Sequence, residues 1–453
     1  MKKYLVAVLV TALFSLFSLV AVAQDTRHVV EPVIPPLCAT LGAHFSGAGV
    51  STKEDDTLRL QEAIDHCPNG HAVQLSSDAQ HSAYTSGPLH LRGGVTLLID
   101  KGVILYASTD PRAYDKDDDN GNHRCGTNDA SGKGCKSFIL VDDSHGDGIM
   151  GDGVIDGQGG QRMAGKNESW WQLSRRAQKE NAAQNVPHLI EINRATDFSL
   201  YRITLRNSMK YHVILHQVDG FTAWGVKLDT PAAARNTDGI DPISSRNVTV
   251  SESFIRAGDD NISIKSGNGI PSENISIVHN HFYSGHGMSI GSNTDGGIRH
   301  ILVDDLSMDG TVSGLRIKSD ISRGGLVSDV HFQHICLRNI RNPFDVDTAY
   351  TRGASGNKIP DYQDIFFEHI RGVGGGKLIF QGIDAQHPIV ITMTDIALLD
   401  IGDISARHVH FNLGAGVVLP SLAGDDVKID KTGGGTDHSE QLVCDGKLID
   451  FPE

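Results

Sequence analysis

The sequence predicts an all-β solenoid, a β-helix in which short strands wind in coils around one long core. Three observations carry this. The chain holds 50 glycines against 15 prolines, a composition suited to many tight turns. From about residue 140 onward, short β-branched segments alternate with Gly, Asn and Asp. These segments return at a regular interval, with Asn247, Asn274, His300 and Val330 marking successive passes of the chain.

An inexact repeat of that length, with strands and no intervening helices, marks a stack of units that each cover the core of the next. Phe138–Val141, Phe198–Leu200, Val248–Val250, Ile275–Ile277, Ile301–Val303 and Ile365–Phe367 read as strands bounded by turn residues. A propeller or a sandwich would carry more hairpin dipeptides at this spacing. An open coil end exposes unpaired strand edges and needs a cover. Asp56–Asp65, with an Asp or Thr before apolar residues at helical spacing, predicts a capping helix there. A second helical stretch, Ser169–Asn181, carries Trp170 and Trp171; packing of an insertion against the solenoid is favoured over stacking on a sugar.

The 453 residues would accommodate two or three ordinary domains, but the repeat favours one extended domain over 24–453. Residues 1–23 read as a secretory signal: Lys2 and Lys3, an apolar run from Leu5 to Val20, then Ala21-Val22-Ala23 before Gln24. Export places the six cysteines in an oxidising compartment, where 15 connectivities are open. Spacing makes Cys125 with Cys135 the easiest loop and Cys38 with Cys67 the next, leaving Cys336 and Cys444. The formal charge is −15, and it becomes more negative by two once Lys2 and Lys3 leave. That sign disfavours nucleic acid and anionic membranes as partners. A polyanionic substrate would need local positive charge.

Four polar clusters interrupt the strands: Asn236-Thr237-Asp238, Gly258-Asp259-Asp260, Gly285-His286-Gly287 and Arg316-Ile317-Lys318. The steps from Asp238 to Asp259, from Asp259 to His286 and from His286 to Arg316 are each about one coil. Stacked at ~4.8 Å per coil, residues far apart in the chain converge on one patch. Three carboxylates so close raise one another's pKa, so that one keeps a proton while others stay ionised. That division of labour is what glycoside hydrolysis needs. Any one of these aspartates beside glycine would ordinarily be a turn former; four clusters in phase are not explained that way. Arg316 and Lys318 alternate on a strand and so share a face, supplying the missing positive charge.

These segments, with Gly285–Ser292, Arg235–Pro242, Gly314–Asp320 and Asp347–Tyr350, resemble the signature segments of the polygalacturonases, glycoside hydrolase family 28. The resemblance covers most of the chain after residue 23. It implies a right-handed, single-stranded parallel β-helix and hydrolysis of α-1,4-galacturonosyl bonds in polygalacturonate with inversion. By position it implies Asp259 as general acid, Asp238 and Asp260 as the pair that activates water, and His286 as the support of the acid. It implies substrate binding by Asn236, Arg316, Lys318 and Tyr350. The Cys125–Cys135 loop with Gly132-Lys133-Gly134 resembles bacterial endo-acting members.

Rivals remain within reach of the same residues. An exo-acting enzyme shares the chemistry, and a rhamnogalacturonan hydrolase would lack His286 and Lys318. A pectate lyase would need calcium beside Arg316, and an adhesin would not need the aspartates. No cofactor or metal is expected: Asp115–Gly121 places its glycine one position late for an EF-hand, and Gly372–Lys377 lacks a phosphate-loop pattern. A His279–His281 metal pair is disfavoured. No oligomerisation signal stands out, so a monomer is expected.

Overall fold

The computed structural model describes residues 24–46, 55–116, 124–129, 134–432, 444 and 446–452. The signal segment 1–23, Lys133 with its neighbouring Gly132, and most of the acidic run before Gly121 lie outside the described residues.

Among the described residues thirty-one strands join in one continuous sheet, and every pairing between these strands is parallel. The chain winds right-handed, the hand that parallel crossovers adopt. Because each strand sits directly above its counterpart in the previous coil, one register position becomes a column. Ile190, Val213, Ile240, Ile262, Met288, Leu315 and Phe344 form one such inward column, all buried. Ile264, Ile290, Ile317, Val346 and Phe380 form the next, two residues along. This is the period-2 alternation of a strand repeated coil upon coil.

The corners explain why the repeat is visible in the sequence. Asp197, Gly220, Asn247, Asn274, His300, Asp329 and Asp364 share one corner position, and all seven have positive φ, 51–58° for the six non-glycines and 92° for Gly220. Asn, Asp and Gly tolerate this left-handed conformation best. The corner that follows His300 is therefore Asp329 and not Val330, which is the partner of Ile301.

The capping helix α1 runs Thr57–His66 and buries Leu60 and Ile64 against the first coils. Asp56 stands at its N-cap position, but its carboxylate serves Arg59 at 2.5 Å and the Thr85 N–H at 3.2 Å instead of the helix end. Helix α2, Trp170–Lys179, starts with a reciprocal Ser169–Gln172 capping box. Trp170 is fully buried edge-on to Tyr114, and Trp171 donates Nε1–H to the Ser208 carbonyl at 2.8 Å, so both pack the insertion. The disulfides are Cys38–Cys67, Cys125–Cys135 and Cys336–Cys444. The last fastens the chain end, whose Phe451 lies over the Arg256 guanidinium at 4.3 Å. Gly372–Lys377 is a turn at Gly374–Gly375 between two strands. His279 faces Asp305 at 2.7 Å and His281 faces Ser307 at 2.7 Å, so they are rungs of two columns and not a ligand pair.

Candidate active site

The site lies at the corner that leads into five successive strands, Val213–His216, Ile240–Ile243, Ile262–Ser266, Met288–Thr294 and Ser313–Lys318. Tyr211, Asp238, Asp260 and His286 occupy one register position there, two residues before Val213, Ile240, Ile262 and Met288. The column thus runs through Asp260, with Asp259 one residue before it. Arg316 stacks on Ser289, three residues further along its strand than the residue above His286. Phase in the sequence was right to within a few residues; it located the patch and not the partners.

Outward positions of these strands complete the site. Asp241, Ser263, Ser289, Arg316 and Asp345 form one column. Ile243, Lys265, Gly291 and Lys318 follow it two residues along. A side chain at Gly291 would collide with the Lys318 carbonyl, so only glycine lets these coils close.

Each aspartate has a different set of partners. Asp260 is buried and receives Lys318 Nζ at 2.6 Å and the Ser289 hydroxyl at 2.8 Å, with Arg316 at 3.6 Å. Burial alone would raise its pKa, but the two cations pull it well below the usual carboxylate range. Asp259 faces His286 Nδ1 at 3.0 Å and accepts from the Asn236 N–H and side-chain amide, both at 3.3 Å, and from the Asp260 N–H at 3.1 Å. Burial pushes it up, yet the His286 contact wins and lowers it. Asp238 has no such help. Its Oδ1 is buried without a hydrogen-bond partner among the described residues, and Lys265 stands 3.5 Å from Oδ2, nearer to Asp241 at 2.5 Å. Burial, then the neighbouring carboxylate of Asp241, drives Asp238 far above its ordinary value. Asp241 itself is raised by burial to about 6, against the pull of Lys265.

The three carboxyls, expected to differ in acidity, are shifted in different directions. Burial and the neighbouring Asp241 carboxylate favour the protonated form of Asp238 in the free cleft, whereas the pKa of Asp259, the residue matched to the general acid, is lowered by His286.

Three of the residues expected to bind substrate, Arg316, Lys318 and Tyr350, gather at one end. The Tyr350 ring lies 5.2 Å from the Arg316 guanidinium, 5.4 Å from Lys318 Nζ and 5.9 Å from Arg323, and Asp345 holds Arg316 Nε at 3.0 Å. Asn236 sits below, with φ of 56°, donating to Asp259 and accepting from Gln184 at 2.8 Å. Sequence reading missed Tyr211, Lys265 and Asp345 and gave Asp241 no role. Tyr211 precedes Asp238 by one coil, and that interval would have found it. Asp259, Asp260 and His286 offer donor atoms within 4.8 Å of one another, a geometry open to a cation. Lys318 and Arg316 already neutralise Asp260, which leaves little charge for a metal to satisfy. The cleft around these groups, about 860 Å³, also reaches Arg235, Lys358 and Asn293.

Comparison with known proteins bears on family and fold. Residues 67–415 match the family model described as glycosyl hydrolases family 28. The chain is 43% identical over 399 residues to an endo-polygalacturonase of Pectobacterium parmentieri, covering 88% of this chain and 96% of the relative. It is 36% identical to a polygalacturonase of Ralstonia nicotianae, covering 87% and 86%. Among solved structures, the polygalacturonase from Erwinia carotovora ssp. carotovora superimposes with a TM-score of 0.81 at 41% identity, over 86% of this chain and all of that one.

Proposed function

The chain belongs to family 28 of the glycosyl hydrolases and is a glycoside hydrolase; from that premise we propose that it cleaves α-1,4-galacturonosyl bonds inside polygalacturonate chains. One observation carries this reading: three aspartates cluster in one cleft, and the innermost, Asp260, faces a guanidinium and an ammonium set on alternate positions of a single strand. Carboxylates supply acid and base, and Arg316 with Lys318 and Tyr350 supplies recognition of a charged sugar. The relatives' endo action favours internal cleavage over the exo and rhamnogalacturonan alternatives. The disulfides suit an exported enzyme, and a monomer bearing net negative charge needs no nucleic acid or membrane partner.

In the reaction, Asp260 stays ionised beside Lys318 and orients water against the anomeric carbon, and a second carboxyl protonates the leaving oxygen. Inversion requires that acid and base stand ~6.5 to 9.5 Å apart, with water between. The family resemblance gives the donor role to Asp259, which would take its proton through His286 as substrate desolvates the cleft. The raised pKa of Asp238 favours a second assignment, in which Asp238 is the donor and Asp259 helps hold the water. An aryl galacturonide with a good leaving group separates the two. The true donor's Asp→Asn variant keeps its activity on that substrate and loses it on polygalacturonate.

The reading as a whole is tested by incubating the mature protein with polygalacturonate. New reducing ends without ultraviolet-absorbing unsaturated products, with long oligomers appearing first, are the expected result. Unsaturated products would mean a lyase, early monomer alone would mean exo action, and no reducing ends would overturn hydrolysis altogether.

A further inference from the structure

Two aromatic and cationic groups flank the aspartates of the cleft. Tyr350, with Arg316 and Lys318, lies above the aspartates. Below them, one coil under Asp238, the Tyr211 ring is stacked on His188 at 5.2 Å, with Lys210 Nζ and Lys265 Nζ each 5.1 Å from its centre. The coils of Tyr211 and Arg316 are four steps apart, roughly 19 Å at ~4.8 Å per strand. The aspartates lie between them.

Ion pairing distinguishes the cations of this cleft. Among those lining it, Lys265 is engaged by Asp241, Lys318 by Asp260, Arg323 by Asp320 and Lys358 by Asp295, at 2.5 to 3.0 Å. Arg235 lines the same cleft beside Asp238 and has no carboxylate or hydrogen-bond partner among the described residues. Lys210 lacks an ion pair too among the described residues, and burial lowers its pKa, with Arg235 among the cations acting on it. A half-buried guanidinium left unneutralised between cations is unfavourable in the free protein. It becomes favourable once an anion arrives.

We infer that Arg235, with Lys210 and the Tyr211 ring, binds the carboxylate of a second uronate residue, across the scissile bond from the Arg316–Lys318–Tyr350 group. The inference rests on the proposed polygalacturonate reading and extends it. Each cut would then require two ionised sugars in register, one at each end of the aspartate column. Arg235 offers a planar fork for a bidentate pair, and Lys210 a point charge beside it.

The test is steady-state kinetics of Arg235→Gln, Arg235→Lys and Lys210→Met on polygalacturonate and on the same polymer partly methyl-esterified. Arg235→Gln is expected to raise KM on polygalacturonate at least tenfold while lowering kcat less. Its KM should respond less to esterification and to salt than that of the unmodified enzyme, and Arg235→Lys should restore part of the loss. A structural role would lower the melting temperature and give the same fold-change on both polymers; that result overturns the inference. So does a silent Arg235→Gln in an enzyme that hydrolyses polygalacturonate normally. If Arg235→Gln does not fold, Lys210→Met carries the same comparison, and its KM and esterification response decide. An unmodified protein that releases no reducing ends contradicts the proposed function itself, which separates the two failures.

Discussion

Two kinds of ionisable column run up this solenoid, and the contrast shows what makes a site. On one set of corners histidines stand against aspartates: His279 meets Asp305 at 2.7 Å, His300 meets Asp329 at 2.6 Å, and His334 meets Asp304 at 2.7 Å. The histidines are about half exposed, and every member of these pairs except Asp304 fills a turn position whose positive φ already selects Asn, Asp or His. On the corner before the strands Ile240–Ile243 and Ile262–Ser266, like charges stack instead. Asp238, Asp259 and Asp260 are largely buried, and two of the three depend on cations brought from other coils. Stacked polar residues are thus common in this fold. Buried aspartates occur elsewhere, Asp147 and Asp320 among them, but at the catalytic corner several gather in one cleft.

The largest effect should come from breaking that corner. Asp259→Asn, Asp238→Asn and Asp260→Asn are each expected to lower kcat on polygalacturonate by about 10³-fold, read as reducing ends; Asp260→Asn, which strands buried Lys318, should also lower the melting temperature. Removing a counter-ion is next. Lys318→Met leaves buried Asp260 with only Arg316 at 3.6 Å and should cost about 3 kcal/mol of unfolding free energy in a urea titration. The pH dependence follows from direction. The pKa of Asp260 is lowered by folding, so its contribution is present above the unfolded carboxylate value and is lost as pH falls through the folded one. In Lys318→Met that loss, and the acid limb of activity, move to higher pH.

A smaller effect bears on which carboxyl holds the proton. Asp241→Asn removes a negative neighbour of Asp238 and frees Lys265 to turn toward it, and both changes lower the pKa of Asp238. The basic limb of the kcat/KM profile should shift to lower pH if Asp238 is the donor and stay in place if Asp259 is. Asp241 is also raised by folding, to about 6, so its contribution to stability is full below the unfolded carboxylate value and fades as pH rises through 6. The variant's stability should accordingly vary less between pH 4 and 6. The smallest effect belongs to the other columns. His300→Asn keeps a residue suited to the turn and loses only an exposed pair, so it should change stability by about 0.5 kcal/mol or less. A larger loss there would erase the distinction between the two kinds of column.

The winding of this chain was readable because the constraint that sets it is local. Each coil needs a residue tolerant of positive φ at the same corner, so Asn247, Asn274 and His300 display the period directly. Strand alternation likewise placed Arg316 and Lys318 on one face and left Ile317 between them for the core. The patch where Asp238, Asp259, Asp260 and His286 meet followed from coil length alone. The partners within that patch did not, because they depend on contacts between coils of unequal length: the coil from Asp238 to Asp260 is shorter than the one from Tyr211 to Asp238. Only the tertiary structure shows that Lys265 serves Asp241 before Asp238, that Lys318 belongs to Asp260, and that Arg235 has no counter-ion among the described residues. Where the proton resides is decided by burial and by charge across coils, and neither quantity is written in the spacing of residues along one chain.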